Sequence, residues 1–152
     1  MRCGLAALAL AVLVAACGPT CGGSTTTSQG SVHLVFTGPA PGTLTSAGVA
    51  CNLYNSETQF NAAITGQLGG KNLVFNVQVH SGYRGSGTYQ VGTLLDGSGE
   101  LRLQVGDWVG SSTTGAGTLT IFNDGKSGVV DANLGQGEHV TGSFTCPKVT
   151  SA

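Results

Sequence analysis

Charge is what this 152-residue chain lacks most. Lys and Arg together number six, Asp and Glu seven, and charged residues make up 9% of the whole, against about 25% in an average soluble protein. So small a basic complement excludes a nucleic-acid partner, which needs a cationic footprint. It equally excludes a polybasic membrane patch. Lys and Glu, the usual material of exposed helix faces, occur only three times each. Motif chemistry is missing too. There is no Gly-x-Ser-x-Gly elbow, no His-Glu-x-x-His helix and no Cys-x-x-Cys pair, and His33, His80 and His139 lie far apart in sequence. A resident metal or other cofactor is therefore not expected. Gly125-Lys126-Ser127 looks like the tail of a phosphate loop, but Thr120 stands where the first Gly belongs. The acidic residues fall mostly at turns or strand ends, and no pair is marked as a general acid and base. The chain reads as non-enzymatic.

What is present in excess is glycine, 26 residues, more than twice the usual share of about 7%. Short apolar runs of Val, Ile, Phe and Thr alternate with polar residues between these glycines, the pattern of half-buried strands joined by tight turns. Lys71 to Val79 is the clearest case: Leu73, Phe75, Val77 and Val79 share one face, while Asn72, Asn76 and Gln78 turn mostly to water. Val32 to Phe36, the stretch around Val49, Cys51 and Leu53, and Leu101 to Val105 repeat the pattern, as do Thr118 to Phe122 and Val140 to Cys146. Phe60 to Ile64 fits a strand or a short helical turn. Asn123-Asp124-Gly125-Lys126 supplies the positive φ angles of a hairpin reversal. Seven to nine short strands without a convincing helix predict an all-β domain: a small antiparallel β-sandwich or partly closed barrel.

The N-terminus is organised differently. Met1-Arg2 precedes the apolar run Leu5 to Val14, which is too short for a bilayer-spanning helix of roughly 20 residues. It matches the 7–15 residues of a signal-peptide core. Small Ala15 and Ala16 then lead into Cys17. Val14-Ala15-Ala16-Cys17 resembles the bacterial lipobox, which implies cleavage after residue 16 and a diacylglycerol on the Cys17 sulfur. Each buried methylene adds about 0.8 kcal/mol, so two or three acyl chains hold a protein stably on a membrane. A plain signal peptide with a coincidental cysteine is the alternative. Residues 17–31, rich in Gly, Ser and Thr, read as a lipidated N-terminus and flexible tether, with a typical reach of about 20 Å for fourteen residues. The β domain then spans 32–148, and 149–152 read as a C-terminal tail. The expected location is the cell envelope, on the outer face of a bacterial membrane, in an oxidising compartment.

After cleavage, Cys17, Cys21, Cys51 and Cys146 remain. Cys51 and Cys146 share parity with apolar neighbours on well-patterned strands, so both point inward and are expected to pair. Closing a loop of nearly a hundred residues contributes about 4–5 kcal/mol in the chain-entropy treatment. A bond from Cys21 to either of them stays open as the alternative.

Lipobox, tether, low-charge β domain and a cysteine near the C-terminus together resemble the mycobacterial 19-kilodalton lipoprotein antigen type. Val140-Thr141-Gly142-Ser143-Phe144-Thr145-Cys146 is similar to that family's ending. The extra Cys21 and the Tyr83–Tyr89 loop depart from it. The resemblance implies a surface-exposed, immunologically visible lipoprotein with no assigned enzymatic activity. Tyr83, Arg84 and Tyr89 on their Gly-rich loop, with Trp108, form a candidate recognition surface for an envelope protein or polymer. Packing of the rings over one end of the domain is the plainer alternative. A lipid- or small-molecule-binding carrier, with its pocket in the domain interior, is the second functional expectation.

Overall fold

A computed structural model describes residues 30–92, 96–112 and 116–152. The leader, Cys17, Cys21 and most of the tether lie outside them. The described residues form an all-β fold of twelve strands: β1 (Val32–Thr37), β2 (Gly42–Leu44), β3 (Ala47–Tyr54), β4 (Gln59–Leu68), β5 (Lys71–Val79), β6 (Gly87–Val91), β7 (Gly99–Val105), β8 (Trp108–Ser111), β9 (Gly117–Phe122), β10 (Ser127–Asn133), β11 (His139–Thr145) and β12 (Val149–Ser151). Phe60 to Ile64 belongs to the ten-residue β4 and not to a helical turn. The strands absent from the sequence reading are short. β2 and β12 have three residues each and β8 has four, too few for an alternation to register. Residues 149–152 are thus not a free tail. Thr150 pairs with Asn52 of β3, and the Ala152 amide donates to the Leu53 carbonyl at 2.9 Å.

All twelve strands join one curled sheet in the order β12-β3-β4-β5-β7-β6-β9-β10-β11-β1-β2, with β8 beside β7. Every pairing is antiparallel except β12–β3 and the single β6–β7 bridge. Alternation along each strand puts one side chain in two on the inner face, and curling lets that face bury itself. Phe36, Phe60, Phe75 and Phe144, with Leu34, Ile64, Leu101, Leu103, Leu119 and Ile121, are fully buried there. The Phe36 and Phe75 rings meet edge to face, 5.9 Å between centroids, a favoured quadrupole geometry. Of the two expected shapes, the result is a half-barrel with a filled interior.

Bending a sheet this tightly brings backbones together. Gly142, at φ 135° in β11, sits where a Cβ would collide with the His33 carbonyl oxygen of the neighbouring β1. Glycine is the residue that tolerates both that φ and that approach. The two ends of the sheet meet without ladder bonds. A Cβ at Gly42 would lie 2.7 Å from the Leu68 Cδ1 of β4, and one at Gly66 would lie 3.0 Å from the Leu44 Cδ1 of β2. The apolar side chains of Leu44 and Leu68 seal that seam.

The turns gather at two poles. Residues 30–31, the turns at 55–58 and 123–126, the 81–86 loop and the segment after Cys146 lie at one, here the terminal pole. The loop at 38–41, the turns at 69–70 and 106–107 and the 134–138 segment lie at the other, the distal pole.

Candidate functional site

Cys51 lies on β3 and Cys146 follows β11, strands near opposite ends of the sheet order. Their sulfurs are bonded at 2.03 Å, with 5.8 Å between Cα atoms and 95 residues of sequence separation. The disulfide thus staples the curled sheet across its seam. Beside it, the Cys146 amide donates to the Lys126 carbonyl at 2.8 Å, and the Thr145 amide donates to the Ser31 carbonyl at 2.7 Å.

Of the two readings of the tyrosine loop, packed rings and an exposed recognition patch, the structure shows the packed one. Tyr83 and Tyr89 are each 7% exposed. Tyr83 stacks between Phe60 and Tyr89, with ring centroids 5.5 and 5.8 Å away. The Tyr89 hydroxyl donates to the Gly85 carbonyl at 2.7 Å and accepts from the Arg84 amide at 3.1 Å, so it shapes the loop that covers it. The Tyr83 hydroxyl is buried without a hydrogen-bond partner. Burial, then the neighbouring Tyr89, Asp124 and Glu57, push its pKa up to about 12. Apolar rings outweigh one orphaned hydroxyl because each stacked aromatic buries a large area. Only Arg84 of the loop trio stays exposed. Trp108 is half-buried at the distal pole, remote from Tyr83, so the four residues do not share one surface.

Trp108 instead borders an open apolar pocket of about 200 Å³, with the Pro39–Pro41 loop, Leu68, Val105 and, at its rim, Lys71. Behind that loop lies Glu138, fully buried. Its Oε2 accepts from the Ala40 amide at 2.8 Å, and its Oε1 has no partner. The sequence placed Glu138 among acids at strand ends, without a signal for burial.

A second depression lies on the outer face of β4, β5 and β7. It is an open groove of about 250 Å³ lined by Asn61, Asn76, Gln78, Glu100 and Arg102. Register assembles it: Asn61, Gln78 and Glu100 stand opposite one another in one cross-strand row, and Ala63, Asn76 and Arg102 in the next. The inward positions Phe75, Val77, Leu101 and Leu103 force these polar neighbours outward by the period of two. Asn61, Asn76, Gln78 and Glu100 are nevertheless half-buried. His80 donates from Nε2 to the Glu100 carboxylate at 2.8 Å. Among the described residues, the side chains of Asn61, Asn76, Gln78 and Arg102 form no hydrogen bond or ion pair within the protein. Sequence reasoning saw Asn76 and Gln78 as solvated positions and missed the groove, since only the pairing of β4, β5 and β7 brings its polar groups together.

His139 bonds Asn133 at 2.9 Å and lies 3.2 Å from Asp131, while His33 is exposed. No group of three or more His, Cys, Asp or Glu side chains among the described residues is placed to hold a metal ion. No helix among them is long and apolar enough to cross a membrane. No protein-family model matches the chain, and no curated protein matches it.

Proposed function

We propose that this chain is a lipid-anchored envelope protein whose half-barrel serves as a non-catalytic interaction domain. Acylation at Cys17 and removal of residues 1–16 would hold it on the outer face of a bacterial membrane, with the 17–31 segment as tether. The first described residues, Gly30 and Ser31, join the domain at the terminal pole, where Ser31 is tied to Thr145. A chain held there leaves the sheet flanks and the distal pole turned toward the surroundings.

The observation that carries this reading is the filled interior. A carrier needs an enclosed pocket of some 300–1,000 Å³ lined largely by apolar groups. Among the described residues, the inner face is occupied by fully buried Phe, Leu and Ile side chains, and the two depressions described above are open and smaller. The side chains of Asn61, Asn76, Gln78 and Arg102, which have no internal partners among the described residues, lie on the outer face. That distribution favours contact with an external partner, an envelope protein or polymer, over enclosed carriage.

Mass spectrometry of the full-length protein recovered from a bacterial membrane tests the anchor. The expected mass lacks residues 1–16 and carries acyl chains on Cys17. An uncleaved or unacylated chain refutes the anchor. A small-molecule mass retained in the native spectrum and released on denaturation refutes the interaction reading in favour of carriage.

A further inference from the structure

We propose that the groove formed by Asn61, Asn76, Gln78, Glu100 and Arg102 binds a neutral, hydroxyl-rich glycan. This deepens the interaction reading and rests on it in taking an envelope polymer as partner. The groove supplies three amides, one carboxylate and one guanidinium. Each amide offers both an acceptor oxygen and two donor hydrogens, the guanidinium offers five donors in a planar fork, and the carboxylate only accepts. A hydroxyl donates and accepts at once, so neighbouring hydroxyls on a sugar ring can use such a mixed set pairwise.

The competing ligand classes fit less well. One cation beside one anion makes the groove electrically neutral, which gives a nucleic acid or other polyanion no net attraction. An extended peptide is read best through backbone bonds at a sheet edge. Here β4 and β5 are paired on both sides over the groove, and β7 is so from Arg102 onward, so side chains are the main groups on offer. A lipid tail needs apolar lining, and the lining is polar. The free state is consistent with this: four side chains are half-buried or outward-facing without internal hydrogen bonds, so water satisfies them until a ligand replaces it. Displacing water gains affinity only when the ligand reproduces its hydrogen bonds, which hydroxyls do.

His80 bonds one oxygen of the Glu100 carboxylate, which leaves the other as an acceptor for a ligand in the groove that Glu100 lines. Arg102 has no such restraint, so its fork is available for the ligand. Affinity should be modest, in the high micromolar to millimolar range, because the site is open and no aromatic ring stacks over it.

The test is titration of the full chain, ¹⁵N-labelled and held in detergent, with soluble gluco-, manno- and chito-oligosaccharides. The side-chain NH₂ signals of Asn61, Asn76 and Gln78 report directly from the groove. At least one sugar series is expected to shift them in a saturable way. Asn76→Ala and Arg102→Ala should each weaken that binding about tenfold, the loss of one to two hydrogen bonds, with an unchanged melting temperature. Arg102→Lys should restore it only in part, because an ammonium lacks the planar fork. In parallel, the full chain is co-sedimented with insoluble cell-wall polymer from its own source. Sedimentation that survives Asn76→Ala and Arg102→Ala, or silent groove amides with every sugar, overturns the glycan site while the interaction reading stands. Failure of both sedimentation and titration overturns the glycan site and the polymer partner together.

Discussion

The two poles of the half-barrel are built on opposite plans. The terminal pole is stapled: a disulfide, a three-ring stack and backbone bonds from Ser31 and Cys146 hold five separate segments together. The distal pole is latched. Its Pro-containing 38–41 loop is held by one hydrogen bond to a buried carboxylate, over an open apolar pocket. Crosslinks in this low-charge, Gly-rich domain are thus concentrated at the pole where Gly30 and Ser31 join it. Covalent closure acts on the unfolded ensemble and is felt globally, whereas a single hydrogen bond acts on one loop.

The largest expected effect comes from breaking the staple. Replacing both Cys51 and Cys146 with Ser should lower the unfolding free energy by about 4–5 kcal/mol, the loop-closure contribution of a crosslink this long, measured by denaturant titration. That is a large share of a typical 5–15 kcal/mol total. A loss under about 1 kcal/mol would mean that the seam is held by Leu44 and Leu68 instead of the crosslink.

The latch should cost less. Glu138→Ala leaves the Ala40 amide without its acceptor, a loss of about 1–3 kcal/mol, accompanied by faster hydrogen exchange confined to the 38–41 loop. Glu138→Gln keeps an acceptor for that amide and should recover most of the loss. If Glu138→Ala loosens the terminal pole equally, the two poles are not independent and the contrast fails.

The smallest effect is expected inside the staple. Tyr83→Phe keeps the stack and removes the orphaned hydroxyl, so stability at neutral pH should hold or rise by up to about 1 kcal/mol. The alkaline limb is more telling. Between the ordinary tyrosine value of 10 and the folded value of about 12, the unfolded phenol has released its proton while the folded one retains it. Raising pH through that window therefore favours unfolding. Tyr83→Phe should lose less stability there than the parent chain, as followed by denaturation midpoints at successive pH values. Equal losses would show that the hydroxyl is hydrated, contrary to its burial.

Legibility in the sequence followed the range of each interaction. Strand identity and facing were readable, as for Leu73, Phe75, Val77 and Val79, because alternation is local. The pairing of Cys51 with Cys146 was readable because both shared the parity of inward neighbours. Packing of Tyr83 and Tyr89 over one end of the domain was among the sequence readings, but their partner was not, since Phe60 arrives to stack on Tyr83 from a strand more than twenty residues earlier. β12 was unreadable: its three residues gain order only from the neighbouring β3. The groove was the least visible, because Asn61, Gln78 and Glu100 are unremarkable polar positions until β4, β5 and β7 align them.

By itself, then, the chain's order of residues determined an all-β domain, the face each side chain takes and the inward parity of the two bonded cysteines. These depend on the strand period of two, which each segment expresses alone. Tertiary structure decided the rest: a half-barrel where a sandwich was equally compatible, β5 beside β7 with β6 displaced to its far side, buried tyrosines, and a polar groove on the outer face. Those outcomes depend on which strands become neighbours and in what register. Neighbours and register are settled by contacts between residues far apart in the chain, which no local pattern encodes.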